Sequence, residues 1–311
     1  MILSPNKFFI LFLFWFLLEI PISPGQNSSQ KHTSLYFISD CQEPLPVEKI
    51  IRKTHRNVDA RDSLFREIEN KNDGYVFMLG DLVGKGSKNS DWKGVDRFLK
   101  TLRDSGSKVY AIPGNHEYML TASKGIPNFQ TRFPDLPLTG YCVRTDGLAI
   151  VMLNSNFRQL TEAEKSSQKQ WYMTVMDSLD ADSSVQMVIV CTHHSPFSNS
   201  KVVGSSVNVQ DALISRYEQS PKTKLFISGH SHNLECFESA AGKRFMVIGG
   251  GGGIDQPLYL RNKEKYKDRI SHADKPRFFY LVLQRRDNEL EVTVRGFTAA
   301  FETVPEIRLS L

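Results

Sequence analysis

Cysteine is scarce in this chain: Cys41, Cys142, Cys191 and Cys236 are the only four in 311 residues. Their separations match no cysteine zinc pattern such as C-x-x-C, which excludes a zinc-finger reading. Cys41 and Cys191 lie in or beside apolar runs, so buried free thiols are expected, even in a compartment that permits disulfides. A dominant sign of charge is also missing. The formal net charge of +5 fits an acidic substrate but is too small to argue for nucleic acid. No segment repeats at a fixed period, which excludes solenoids and propellers, and no internal linker divides the chain. The one dense apolar run, Phe8 to Leu18, reaches only about half of a ~30 Å hydrocarbon core at about 1.5 Å per helical residue.

That run reads instead as the centre of a targeting segment. Lys7 and the free amine precede it; Glu19, two prolines and the small residues Ser23 and Gly25 follow it, ahead of a possible cut before Gln26. Residues 1–25 are expected to be a secretory signal peptide. The alternative is an uncleaved anchor that also uses Ile20 and Ile22. Residues 26–33 read as a polar linker, in which Asn27-Ser28-Ser29 matches a glycosylation sequon. The expected location is therefore exported: periplasmic, secreted or in the secretory lumen.

Beyond the linker, 40% hydrophobic and 23% charged residues are ordinary for a folded domain, expected over residues 34–304. Apolar runs of strand length alternate with helical spacing. "LYFIS", "YVFML" and "KVYAIP" read as strands, and "RDSLFREIENK" and "DWKGVDRFLKTLRDSG" as the helices between them. In the second helix Trp92, Val95, Phe98, Leu99 and Leu102 share one stripe. This β-α-β-α-β order predicts an α/β fold with largely parallel pairing. "GLAIVMLNS", "VQMVIVCTHH" and "TKLFISGHSH" continue the strands, and a helix begins at a Thr161–Glu164 capping box. "VQDALISRYEQ" reads as another helix, and β-rich segments close the chain.

Ligands in α/β folds sit at strand ends, and here the strand ends share a chemistry. They deliver Asp40, then Asp81 in "GDLVGKG", Asn115-His116 in "GNHE", His193-His194 in "THHSP", and His230 and His232 in "GHSH". Gly80, Gly114 and Gly229 precede three of these groups, where glycine permits a sharp turn and close approach. A lone aspartate at a strand end is usually a turn residue. Carboxylates, an amide and imidazoles at five strand ends are instead the donors that hard and borderline metals take.

The ordered set resembles the calcineurin-like metallophosphoesterases, whose pattern is Asp-x-His, Gly-Asp, Gly-Asn-His-Asp/Glu, a lone His, and Gly-His-x-His. "THHSPF", the Gln170-Trp171 helix, "GHSHNLE" and the run Gly249 to Gly253 look most like its purple-acid-phosphatase-like branch. The resemblance implies a two-sheet β-sandwich flanked by helices, with the metal site at the C-terminal strand ends. It implies two divalent ions (Mn, Fe, Zn or Mg), one held by Asp40, Asp81, His232 and the residue at Gln42. Asp81, Asn115, His193 and His230 would hold the other. Two cations bridged by one carboxylate polarise a phosphoryl oxygen and bring water toward a hydroxide nucleophile near neutral pH. His116 is the expected catalytic residue, stabilising charge or protonating the leaving group. Glu117 would orient its neighbours, and His194 would contact substrate or lie buried. Lys85 reads as a solvated lysine or a phosphate contact.

Two departures qualify the resemblance. Purple acid phosphatases carry a metal-ligating Tyr three residues after the bridging Asp, where this chain has Gly84. Gln42 stands where Asp-x-His has histidine, and offers a neutral, harder amide oxygen, so a weaker or more Mg/Mn-tolerant first site is expected. The implied activity is hydrolysis of phosphate esters, with phosphomonoesters favoured. A phosphodiesterase with the same centre is one alternative, and a weak metal- or phosphate-binding pseudoenzyme, through Gln42, is another. The expected partner is a phosphorylated small molecule or other phosphoester; neither nucleic acid nor a membrane span remaining after signal cleavage is expected. The segment Leu258 to Arg277, with seven Lys/Arg against three acids, reads as a solvated insertion or an edge that steers phosphate-bearing substrates.

Overall fold

A computed structural model of the chain describes residues 33–46, 56–71, 74–200, 203–251 and 264–311. The expected signal peptide, the sequon with residues 26–32, and positions 258–263 of the basic segment lie outside the described residues.

Strand side chains alternate between two faces, and here both faces are apolar. In β1 (Ser34–Ile38) Leu35 and Phe37 join one buried cluster, while Tyr36 and Ile38 join another. A strand buried on both faces must lie between two layers. One layer is helical: α1 (Asn57–Glu69) applies Ala60, Leu64, Phe65 and Ile68. After β2 (Gly74–Met78), α2 (Lys93–Asp104) adds Val95, Phe98, Leu99 and Leu102. Trp92 shares that core from a 3-10 turn (Asn89–Trp92) preceding the helix rather than from the helix itself.

Past β3 (Lys108–Ala111) the chain forms α3 (Asn115–Tyr118) and α4 (Ala122–Arg132). It then builds β4 (Gly140–Thr145), β5 (Leu148–Leu153), α5 (Glu162–Ala181) and β6 (Met187–Thr192). At the start of α5 the Glu164 N–H donates to Thr161 Oγ1 at 3.2 Å and the Thr161 N–H to Glu164 Oε2 at 2.7 Å, the expected capping box. The helix expected over 209–219 is broken in kind. It runs as α6 (Val207–Val209), a π turn (Gln210–Ile214) and α7 (Ser215–Gln219). Then follow β7 (Thr223–Ser228), β8 (Leu234–Glu238), β9 (Arg244–Ile248), β10 (Phe278–Arg286), β11 (Glu289–Phe297) and β12 (Ile307–Ser310).

The twelve strands among the described residues form two six-stranded sheets, ordered β12-β11-β10-β1-β2-β3 and β4-β5-β6-β7-β9-β8. Each is mixed. β1, β2 and β3 pair in parallel, as do β5, β6, β7 and β9, with antiparallel strands completing each sheet. β12 lies beyond the boundary expected at Val304 and pairs with β11. The sheets face each other across a core that includes Leu35, Phe37 and Phe77 from one and Ile150, Ile189 and Leu225 from the other. Helices α5 and α7 cover the outer face of the second sheet through Tyr172, Met176, Leu179 and Tyr217. The result is a helix–sheet–sheet–helix sandwich, in which the parallel strands of both sheets point their C-terminal ends toward one edge. Among the described residues no helix is long and apolar enough to cross a membrane.

Candidate metal centre

The residues just past β1, β2, β3, β6 and β7 meet at that edge. Asp40, Asp81, His230 and His232 have φ of +59°, +51°, +68° and +46°. The left-handed region is costly for residues with a Cβ, so the surrounding contacts must hold these four turns. Two glycines allow the turns to close on one another. Gly80 has φ +88°, and a Cβ there would lie 2.9 Å from His193 Nδ1 and 2.5 Å from the Gly114 nitrogen. A Cβ on Gly229 would lie 2.5 Å from Asp40 Oδ2. The expected close approach is thus between protein loops.

His193 is the hub. Its Nδ1 donates to the Leu79 carbonyl at 2.8 Å, which directs Nε2 inward. There Nε2 lies 3.1 Å from Asn115 Oδ1, 3.2 Å from His230 Nδ1 and 3.3 Å from Asp81 Oδ2. Next to this group His232 Nε2 stands 3.5 Å from Asp40 Oδ1. The His230 N–H donates to both Asp40 carboxylate oxygens, at 3.1 and 2.9 Å. The Gln42 side chain is buried against the same atoms. In the amide orientation that satisfies its hydrogen bonds, the nitrogen donates to the Asp40 and Asp81 carbonyls at 3.1 Å each. Its oxygen then faces His232 Nε2 at 3.3 Å, so the structure brings Gln42 together with Asp40 and His232.

Glu117, fully buried, holds the loops in register. Its carboxylate accepts the N–H groups of Asp81 at 3.0 Å, Leu82 at 2.9 Å and Gly114 at 2.7 Å. His116 follows Asn115; its backbone N–H donates to Asp81 Oδ1 at 2.8 Å and its Nδ1 to the Gly84 carbonyl at 2.8 Å. Its Nε2 then lies 3.9 Å from Asp81 Oδ2. Gly84 has no room for the family tyrosine, because a Cβ there would lie 2.6 Å from the Glu43 carbonyl oxygen. Lys85 is half-buried in the following loop, outside this cluster.

The electrostatics call for a cation. Asp40 and Asp81 are both buried, and burial together with the Asp81 charge pushes the Asp40 carboxyl up to about 7. Burial works against a charged His193, yet Asp81 and Asp40 push it up to about 9, so a proton is retained where Asp81, Asn115 and His230 converge. Burial, then the charge on His193, holds His230 well below the ordinary histidine range. Donor atoms of Asp40, Asp81 and His193 all lie within 4.8 Å of one another, as do those of His193, His194 and His230. Carboxylate, amide oxygen and imidazole converging around buried negative charge fit divalent cations.

His194 is turned to the adjoining cleft. Ser155 Oγ accepts its backbone N–H at 2.8 Å and lies 2.9 Å from its Nδ1. Burial and the neighbouring His193 push its pKa down to about 3, so the ring is neutral at pH 7. The cleft, of about 490 Å³, is lined by Asn115, His194 and His230 on the metal side and by Ser155, Arg158 and Val207 beyond. Ser155 and Arg158 belong to no ligand-type motif of the sequence, although "LNSN" occupies a strand end like the others.

The sequence model of the calcineurin-like phosphoesterases matches residues 33–234. A search of curated protein sequences returns no match. Among solved structures, the chain is similar to a purple acid phosphatase from yellow lupin seeds (17% identity, TM-score 0.66, covering 89% of this chain and 53% of that one). The chain thus spans about half the length of that relative. It is also similar to the dimetal phosphatase of Danio rerio (14% identity, TM-score 0.58, 89% and 98% covered). A third likeness is to GAP50, the anchor in the inner membrane complex of Plasmodium (11% identity, TM-score 0.66, 90% and 89% covered). At these identities the structural likenesses show a shared fold.

Proposed function

The chain belongs to the calcineurin-like phosphoesterase family, and on that premise we propose that it is an exported, metal-dependent hydrolase of phosphate esters that prefers monoesters. One observation carries the reading: seven donors from five strand ends, Asp40, Gln42, Asp81, Asn115, His193, His230 and His232, converge at a single edge around buried carboxylates. Asp40, Gln42, Asp81 and His232 would hold one ion, and Asp81, Asn115, His193 and His230 the other. When bound, such ions polarise a phosphoryl oxygen and bring the pKa of water toward neutrality.

The chain's own residues supply the rest. Asp81 would serve both ions, and Glu117 fixes the backbone that carries it. His116 has Nδ1 committed to the Gly84 carbonyl and its Nε2 3.9 Å from Asp81 Oδ2, so Nε2 is the ring atom that would give a proton to the departing ester oxygen. His194, neutral, can take a hydrogen bond from Ser155 on Nδ1 and present its Nε2–H to a phosphoryl oxygen. The abundance of donors supports a monoester, which has three non-bridging oxygens where a diester has two. The signal-like residues 1–25 support export.

Turnover of nitrophenyl phosphate and bis(nitrophenyl) phosphate with Mg, Mn, Zn or Fe tests the reading. Monoester kcat/KM should exceed that for the diester, a chelator should abolish both, and His116→Ala should lower kcat by ~10²-fold or more. Activity that survives thorough chelation, or a faster diester, would overturn it. After expression through a secretory pathway, a mature N-terminus at Gln26 would support export, and an intact Met1 would refute cleavage.

A further inference from the structure

Beside the metal cleft lies a second hollow of about 520 Å³ between α5 and the π turn. Phe157, Arg158 and Asn208 line both spaces. Arg158 is the only Lys, Arg, Asp or Glu among the described residues lining the metal cleft. It is exposed at the tip of the turn after β5. In the outer hollow Lys165 pairs with Glu162 at 2.6 Å, whereas neither Arg158 nor Lys169 makes an ion pair with any described residue.

A lone exposed arginine would ordinarily be a solvated surface group. The scaffold beneath it argues otherwise. Asn154, Asn156 and Gln168 are buried, and none belongs to the ligand set. Gln168 exchanges hydrogen bonds with the Asn154 backbone, at 3.1 and 2.9 Å. Asn156 Nδ2 donates to Asn154 Oδ1 and to the Pro113 carbonyl, both at 2.9 Å. Pro113 immediately precedes Gly114 and the ligand Asn115. The Asn156 carbonyl then accepts the Gln159 N–H at 2.8 Å. A buried amide network therefore ties the turn carrying Arg158 to the loop carrying a metal ligand. Such preorganisation lowers the ordering cost when a charged group binds.

We propose that Arg158 forms an anion subsite that selects phosphate monoesters whose leaving group carries a second anionic group, a phosphate or a carboxylate. The proposal rests on the functional reading above: the reacting phosphoryl group sits at the Asn115 and His230 end, and the cleft beyond it takes the rest of the substrate. At about 490 Å³ that cleft is in the range of small-molecule sites. The guanidinium meets the second anion with charge-assisted hydrogen bonds. Uncharged leaving groups gain none of this.

Two measurements on the metal-loaded protein decide it. Isothermal titration compares orthophosphate with adenosine 5′-(α,β-methylene)diphosphate in wild type, Arg158→Ala and Arg158→Glu. The diphosphate analogue should lose ~10- to 100-fold in affinity in Arg158→Ala, and more in Arg158→Glu, while orthophosphate loses several-fold less. Equal losses, or none, would overturn the subsite whether or not the protein hydrolyses anything. Steady-state kinetics then separate the sources of the second anion: among aryl monoesters, 1,4-phenylene bis(phosphate) carries a phosphate, 4-carboxyphenyl phosphate a carboxylate, and 4-nitrophenyl phosphate has neither. Selective loss on either anionic substrate supports the subsite and identifies its preference. A wild type that binds as expected but turns over none of the three would sink the hydrolase reading and leave the subsite standing.

Discussion

The two sheets contribute opposite chemistry to the centre. The sheet of β1, β2 and β3 supplies oxygen donors: Asp40, Gln42, Asp81 and Asn115. The sheet of β6 and β7 supplies nitrogen donors: His193, His230 and His232. Each set alone is ill at ease, since burial raises the Asp40 carboxyl and depresses the His230 imidazole. Together they make a mixed donor set around two buried carboxylates. No disulfide among the described residues ties one sheet to the other; the apolar layer between them does. The candidate metal site is therefore a readout of how the sheets pack, and a cation held between them would strengthen that packing by binding only the folded state.

The strongest way to break the comparison is Asp81→Asn, which removes the oxygen sheet's charge from the contact with His193. We expect kcat to fall by ~10³-fold or more and metal content to drop. Activity within tenfold of wild type would mean that the carboxylate does not bridge the two halves.

Glu235 sharpens the comparison, because it is a carboxylate on the nitrogen sheet that faces away from the centre. Its oxygens accept Ser198 Oγ–H at 2.8 Å and the Asn199 N–H at 2.9 Å. Burial pushes it up from 4.5 to about 7, against the pull of those hydrogen bonds. A raised carboxyl contributes its stability fully below pH 4.5 and loses it as pH rises through 7. Glu235→Gln mimics the protonated form, so it should gain on wild type by on the order of 2–3 kcal/mol between pH 4.5 and pH 8. Urea unfolding at both pH values checks this, and a constant difference between the two proteins would show that Glu235 ionises without cost.

The smallest effect is expected at Gln42, where one oxygen donor would become a nitrogen donor. Gln42→His should slow the loss of one ion during chelation by about tenfold, with a preference shifted from Mg or Mn toward Zn or Fe. Metal analysis of protein purified without added metal checks it. Two tightly held Zn or Fe ions already present in wild type would refute the weaker first site.

Strands such as β1, β6 and β10 were legible because their apolar runs are continuous, and they are continuous because both faces are buried. β4 was not, since it is an edge strand with half-exposed positions. Nor was α4, whose interior holds Gly125 and Pro127, residue types that interrupt a helical pattern. Gly125 is there because a Cβ would lie 2.0 Å from the Glu117 carbonyl oxygen. Within the site, ligand-type residues stood out at strand ends. The supporting contacts did not, because Ser155 meets His194 only once β5 has paired with β6, and Asn156 reaches Pro113 across 43 residues.

The sequence by itself determined which donors exist and that each follows a strand, because residue type carries the ligand chemistry and apolar periodicity carries the strand. Only the tertiary structure decided that oxygen donors come from one sheet and nitrogen donors from the other. It also decided that the Gln42 amide meets His232 and that Arg158, without an ion pair to any described residue, overlooks the cleft. Those outcomes depend on the order of strands and the distance between sheets, which the packing of Leu35, Phe37 and Phe77 against Ile150, Ile189 and Leu225 sets. No local stretch of chain encodes that distance.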